Sequence, residues 1–130
     1  MTTLYEKNYE LPKNGSYYLS RAAYIVVTAR IKEYPEFVQK IAEIDAKSES
    51  DITEDDILNR TAMESYINAV KSGLKWVPEE VRKALWEYAM QEPSVTWQEV
   101  AEHHHYSESY LRAKYHIFIY GIAAELGEIF

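Results

Sequence analysis

The spacing of apolar residues predicts helices along most of the chain. In residues 16–33 apolar side chains recur every three or four positions, which is the period of a helix with one buried face. The β-branched run Ile25–Thr28 alone would suit a strand, but the alanines and charged residues around it favour a helix. Residues 1–15 combine a proline with the turn signal Asn14-Gly15 and show no sustained period, so we expect a flexible arm there.

The dipeptide Tyr34-Pro35 divides the first half of the chain into two predicted helices. The residue before a proline avoids the helical region, and proline itself suits the first turn of a helix. The first helix should therefore end at Tyr34, and a second should run over residues 35–46. The polar residues 47–50 then indicate a loop.

Capping and stop signals predict two further helices. Asp51 or Thr53 can cap the first of them, and Thr53 with Asp56 forms a weak capping box, in which two side chains bond each other's backbone N–H groups. Gly73 is the expected C-terminal stop of this helix. The next helix should lie between the prolines at 78 and 93.

The C-terminal part of the chain predicts two helices joined by a tight turn. Thr96 and Glu99 match a capping box that starts the first helix, and Ser107 offers an N-cap for the second. Leu111 falls ten positions after Ala101, where a helix-turn-helix needs an apolar residue to pack its second helix on its first. The residues beside these anchors should therefore face outward.

This spacing resembles the last helix-turn-helix of sigma-factor region 4 and of related response-regulator domains. The chain departs from that pattern at His104, where leucine is usual, and at His105, where glycine usually ends the first helix. Tyr110 also replaces a small polar residue. The anchors in register are Thr96, Glu99, Val100, Ala101, Tyr106, Ser107 and Leu111. The resemblance implies double-stranded DNA as the partner, with the second helix in the major groove.

If the second helix enters a DNA groove, the residues of its first turns should contact the phosphates and the bases. Arg112 and Lys114 lie one turn into the helix, where cations reach the phosphates that flank the groove. The side chains around them are candidates for base edges, and Tyr110 can also press on a thymine methyl group. The predicted DNA-binding residues are Ser107, Glu108, Ser109, Tyr110, Arg112, Ala113 and Lys114.

The layout of the whole chain resembles the late-gene transcriptional activators of phages of Gram-positive bacteria, the RinA and ArpU-like group. Residues 31–37, IKEYPEF, and residues 124–128, AELGE, carry this resemblance most clearly. It implies a small DNA-binding protein in the cytoplasm of the bacterial host cell, where it helps host RNA polymerase to start at a late promoter.

The net charge of −7 is unusual for a DNA-binding protein, because 21 acidic residues stand against 14 basic ones. Phosphate neutralisation supplies much of the affinity for DNA, and the expected reading helix offers only the cations Arg112 and Lys114. We therefore expect a homo-oligomer, which multiplies the phosphate contacts. The apolar face of the last helix should meet either the N-terminal helices or a second subunit, and is the expected place for the interface. This face is formed by Phe118, Ile119, Ile122 and Leu126 with Phe130 at the end.

Composition and motifs argue against other classes of function. The absence of cysteine excludes disulfides and thiolate metal sites, and no apolar run is long enough to span a membrane. We expect no metal at His103-His104-His105, because successive helical side chains point about 100° apart and no H-x-x-x-H spacing or carboxylate partner accompanies them. Without a Gly-rich phosphate loop, a nucleophile elbow or a convincing acid pair, we expect neither an enzyme nor a cofactor.

These patterns together predict an all-α protein with an arm over residues 1–15 and one helical domain over residues 16–130. N-terminal helices should fill 16–75, and a sigma-4-like helix-turn-helix part should fill 78–130. The favoured function is sequence-specific DNA binding in transcription control, as in a phage late-gene activator. Two alternatives stay open: a small-terminase-like phage DNA-packaging adaptor, which would assemble as a ring, and a helical protein-interaction module that does not bind DNA.

Overall fold

The computed structural model describes residues 19–127, which form five α-helices and no strand. The predicted all-α fold is confirmed for this part of the chain, while the predicted arm and Phe130 lie outside it. Among the described helices none combines the length and apolarity needed to cross a membrane. The helices are α1 (Arg21–Asp45), α2 (Glu54–Leu74), α3 (Arg82–Gln91), α4 (Trp97–His104) and α5 (Glu108–Glu125), with short 3₁₀ turns at Glu49–Asp51 and Glu79–Val81.

The first helix, α1, runs without a break through Pro35, so the predicted division at Tyr34-Pro35 is wrong. A proline inside a helix removes one backbone hydrogen bond and costs about 3 kcal/mol. Side-chain contacts on both sides of it offset that cost. The Tyr34 ring packs edge-on against Trp86, with centroids 4.9 Å apart. Phe37 stacks on Tyr66 at 6.0 Å. Tertiary packing therefore overrides the local preference of the proline.

The second helix, α2, starts at the capping box predicted for Thr53 and Asp56. The Asp56 N–H donates to Thr53 Oγ1 at 3.1 Å, and the Thr53 N–H donates to Asp56 Oδ2 at 3.0 Å. Lys47 Nζ also donates to Asp56 Oδ2, at 2.8 Å, and so links the start of α2 to the end of α1. The hydrogen bond from Lys47, with that from the Thr53 backbone, holds the pKa of Asp56 below its ordinary value.

The helix α2 ends at Leu74, one residue after the stop predicted at Gly73, but Gly73 is itself helical and does not form a left-handed cap. A Cβ atom placed at Gly73 would lie 2.5 Å from Ile122 Cγ1 and 2.8 Å from the backbone oxygen of Phe118. Gly121 faces it from α5, where a Cβ atom would lie 2.9 Å from the Gly73 Cα. The two glycines therefore allow α2 and α5 to approach closely where they cross.

The apolar face of α5 forms the centre of the core rather than a free surface. Phe118 and Ile122 are completely buried, and Ile119 is 1% exposed. The helices α2 and α1 pack against α5 and cover this face. The N-terminal helices therefore cover this face, which is one of the two expected outcomes. The prediction of an oligomer interface at Phe118, Ile119 and Ile122 is wrong, because the same chain already buries these residues.

Two prolines bound the region of α3 as the sequence indicates, with one difference. Pro78 precedes the 3₁₀ turn, so α3 itself begins only at Arg82. The helix ends at Gln91, before Pro93, as predicted.

A cluster of three aromatic rings joins α3, α4 and α5. Tyr88 of α3 stacks on Trp97 of α4, with centroids 3.7 Å apart and planes 10° from parallel. Tyr115 of α5 packs edge-on against both rings, at 5.3 Å and 5.1 Å. Stacked and edge-to-face pairs are favourable ring geometries, so this cluster holds the three helices in one arrangement.

Candidate nucleic-acid interface

The helix α4 begins at the capping box predicted for Thr96 and Glu99. The Glu99 N–H donates to Thr96 Oγ1 at 3.2 Å, and the Thr96 N–H donates to Glu99 Oε1 at 3.1 Å. Val100 and Ala101 follow as buried residues, 1% and 6% exposed. The start and the inward face of α4 are therefore those predicted from the sequence.

His105 caps the C-terminal end of the same helix, and its backbone is left-handed with φ 61° and ψ 44°. Glycine is usual at such a helix end, because a Cβ atom costs about 1–2 kcal/mol in this conformation. Backbone hydrogen bonds close the end: the Tyr106 N–H donates to the Ala101 carbonyl at 3.0 Å. The Tyr106 hydroxyl in turn donates to the Glu80 carbonyl at 3.1 Å. The turn thus keeps the conformation that glycine normally supplies.

Ser107 caps the start of the helix α5, as predicted. Ser107 Oγ accepts a hydrogen bond from the Tyr110 N–H at 3.2 Å and so satisfies a free donor of the first turn. Leu111 is completely buried, which agrees with its predicted packing role. The apolar anchors Val100, Ala101 and Leu111 therefore point into the protein, while other residues of the first turns of α5 stay accessible.

The predicted DNA-binding residues lie together on the first turns of α5. Leu111, between them, is buried, as is Tyr115 just after them. Exposed members of the set are Ser107, Ser109, Tyr110, Arg112 and Ala113, while Glu108 and Lys114 are half-buried. The structure therefore brings the set to an accessible part of the helix.

An ion pair within this set affects its charge. Arg112 Nη2 lies 2.7 Å from Glu108 Oε1, and the two side chains remain 57% and 43% exposed. Exposed pairs one helical turn apart contribute only about 0.3–0.5 kcal/mol. Arg112 can therefore exchange Glu108 for a phosphate at small cost, although the carboxylate still repels an approaching anion.

Aromatic rings add a flat surface beside these charges. Tyr106 and Tyr110 stack with centroids 5.6 Å apart and planes 20° from parallel. Lys114 Nζ lies 5.3 Å from the centroid of the Tyr110 ring. Tyr110 keeps 37% of its surface exposed, so this ring can contact a base or sugar next to a cation.

A cleft of about 630 Å³ adjoins this surface. Some residues of its lining, such as Lys32, were not predicted from the sequence to bind DNA. Lys32 of α1 lines it together with Arg112 and His116 of α5. Lys32 and Arg112 are far apart in the sequence, so only the packing of α1 beside α5 shows that they border one cleft. Glu92, on the same lining, opposes their charge.

Two tyrosines of this cleft stay neutral at physiological pH. Burial raises the pKa of Tyr115 well above its ordinary value, and the Glu92 carboxylate raises it further. The pKa of Tyr88 moves in the same direction, again from burial first and Glu92 second. Their hydroxyl groups therefore remain available as hydrogen-bond donors.

His103 and His104 converge on Glu87 of α3, a residue with no sequence signal for this role. His103 Nδ1 lies 3.0 Å from Glu87 Oε1, and His104 Nε2 lies 3.2 Å from Glu87 Oε2. The expectation that these histidines lack a carboxylate partner is therefore wrong. The contact joins two different helices, so no periodic pattern within one helix could have revealed it.

No family model, curated protein or solved structure matches this chain. The interpretation of α4 and α5 therefore depends on their own residues and geometry.

Proposed function

We propose that this protein is a sequence-specific, double-stranded-DNA-binding regulator of transcription that reads DNA with α5. The observation that carries the proposal is the combination of buried and exposed positions around the turn. Ala101 and Leu111 pack inward ten positions apart, and Ser107 caps a helix whose first turns are accessible. This is the arrangement that a sigma-4-like helix-turn-helix requires.

The proposed contacts divide into phosphate and base contacts. Arg112 and Lys114 bind phosphates, and Lys32, across the cleft from Arg112, extends the same track of positive charge. Ser109 and Ala113 face base edges, while the exposed ring of Tyr110 contacts a thymine methyl group.

The acidity of the chain implies that one copy binds DNA weakly. A homo-oligomer multiplies the phosphate contacts and makes the distance between half-sites part of the recognition. Host RNA polymerase bound beside the protein would add contacts in the same way. Activation of phage late genes, with the polymerase as partner, is therefore the form of regulation that we favour.

A salt series tests the DNA contacts. Binding to labelled duplexes from the cognate phage genome is measured by fluorescence anisotropy at increasing salt. Arg112→Ala and Lys114→Ala should each weaken binding to every duplex and lower the slope of log K against log salt by about one. Glu108→Gln should tighten binding, because it removes the repelling carboxylate.

The exposed Lys40 of α1 provides the control, since it lies outside the cleft and the reading helix. Lys40→Ala should leave the slope unchanged. If Arg112→Ala and Lys114→Ala behave like this control, α5 does not read DNA. If the wild type binds no duplex even at low salt, the protein-interaction module becomes the better function.

Sedimentation of the full chain tests the assembly. A dimer agrees with two half-sites, and a closed ring of many copies would instead support the packaging adaptor. A monomer that still binds DNA tightly would contradict the proposed oligomer.

A further inference from the structure

We propose that Glu87, His103 and His104 form a binding site for a divalent transition-metal ion such as Zn²⁺. Each residue offers one ligand atom, and these three atoms lie within 4.8 Å of one another. Imidazole nitrogen and carboxylate oxygen are ordinary zinc ligands, and three protein ligands with water in the fourth position form a common type of zinc site. The proposal does not depend on DNA binding.

The distances between the donor atoms suit one ion. Zinc bonds to nitrogen and oxygen are about 2.0–2.2 Å long, so neighbouring ligands of a tetrahedral ion lie about 3.3 Å apart. Glu87 Oε2 lies 3.3 Å from His103 Nδ1 and 3.2 Å from His104 Nε2, and both separations are close to this value. The two imidazole nitrogens lie within 4.8 Å of each other, so rotation of the side chains can bring all three donor atoms to one ion.

Successive histidines reach one point because they use different ring nitrogens. His103 presents Nδ1, which is close to its backbone, whereas His104 presents Nε2 at the tip of its ring. The difference in reach compensates for the angle of about 100° between neighbouring helical side chains. The two rings lie with centroids 4.5 Å apart.

The end of α4 favours a cation, and the exposed His103 leaves a path for it. The histidines occupy the last turn of α4, at the negative end of the helix dipole. Within residues 19–127, the ion-pair partners of the Glu87 carboxylate are these two histidines, and no lysine or arginine pairs with it. Glu87 and His104 expose only 22% of their side chains, while His103 exposes 68% and opens the site to water.

Metal binding exchanges the present hydrogen bonds for coordination bonds. In the neutral imidazoles, His103 Nδ1–H and His104 Nε2–H donate to Glu87. On binding, each proton moves to the other nitrogen of its ring, and the freed lone pair binds the metal. The carboxylate supplies the third bond, so one ion would join α3 directly to α4.

Calorimetric titration of the full chain with ZnCl₂, in the absence of DNA, tests the proposal. One ion should bind per chain, and EDTA should reverse the binding. Glu87→Gln keeps the shape of the side chain but removes its charge, and should weaken Zn²⁺ binding at least tenfold. His103→Gln should do the same, and because His103 is exposed this variant should fold normally.

The chain supplies matched controls in its two other histidines. His105→Asn, with a residue that accepts the left-handed conformation, and His116→Gln should leave the affinity within about twofold of the wild type. Mg²⁺ should not bind, since it prefers oxygen ligands. Absence of one-to-one Zn²⁺ binding, or loss of binding in the control variants but not in Glu87→Gln and His103→Gln, would overturn the proposal.

Discussion

Replacement of Gly73 by alanine should destabilise the protein, although alanine is the better helix former. In an open helix, alanine in place of glycine stabilises by about 1 kcal/mol. Here the new Cβ would lie 2.5 Å from Ile122 Cγ1, a side-chain atom, and 2.8 Å from the Phe118 carbonyl oxygen, which cannot rotate away. Overpacking of this kind costs about 1–3 kcal/mol, so after the helix-propensity gain we expect a net loss of up to about 2 kcal/mol.

Urea unfolding measured by circular dichroism gives this free energy directly. Ser65→Ala, at an exposed position of the same helix, is the control and should leave the stability unchanged or slightly raised. A Gly73→Ala variant that is more stable than the wild type by about 1 kcal/mol would follow propensity alone. That result would refute the close crossing of α2 and α5.

Three further predictions concern local features. Ala101→Leu should cost about 1–3 kcal/mol in urea unfolding and weaken DNA binding, because it pushes α4 away from α5; unchanged stability and affinity would contradict the proposed packing. His105→Gly should raise the melting temperature, since it removes the Cβ atom that strains a left-handed backbone. A lower melting temperature would show that the histidine side chain stabilises the protein by more than this strain costs. The pKa of Asp56 lies below 3.8 in the folded protein, so its stabilising effect is present above that pH and is lost as the pH falls through the folded-state pKa. Asp56→Asn should therefore flatten the loss of stability in acid, and an unchanged acid profile would exclude this contribution.

Local signals in the sequence predicted the helix starts well. Each helix cap joins residues within one turn of each other, as in the capping boxes at Thr53 and Thr96 and the cap at Ser107. Both partners of each hydrogen bond are therefore visible in a short stretch of sequence. The ten-residue spacing from Ala101 to Leu111 is similarly short. These features were enough to predict both the all-α fold and the accessible residues of α5.

Local sequence patterns could not predict the features that depend on contacts between distant segments. The sequence predicted only a helix end at Gly73. It could not show that this glycine leaves room for Ile122, because Ile122 lies on another helix. The sequence predicted a helix break at Pro35. The helix continues through this proline because Tyr34 and Phe37 beside it pack against other helices. The convergence of Glu87 with His104 likewise exists only after α3 and α4 have packed together.

The close crossing at Gly73 and Gly121 has a mechanical consequence for α5. This helix of 18 residues, about 27 Å long, exposes several residues of its first turns and buries its later turns in the core. A rotation of the exposed end would have to move the glycine crossing as well, where no free space remains. A partner that docks there, as proposed, would meet a preorganised helix backbone, so we expect binding to cost little backbone conformational entropy.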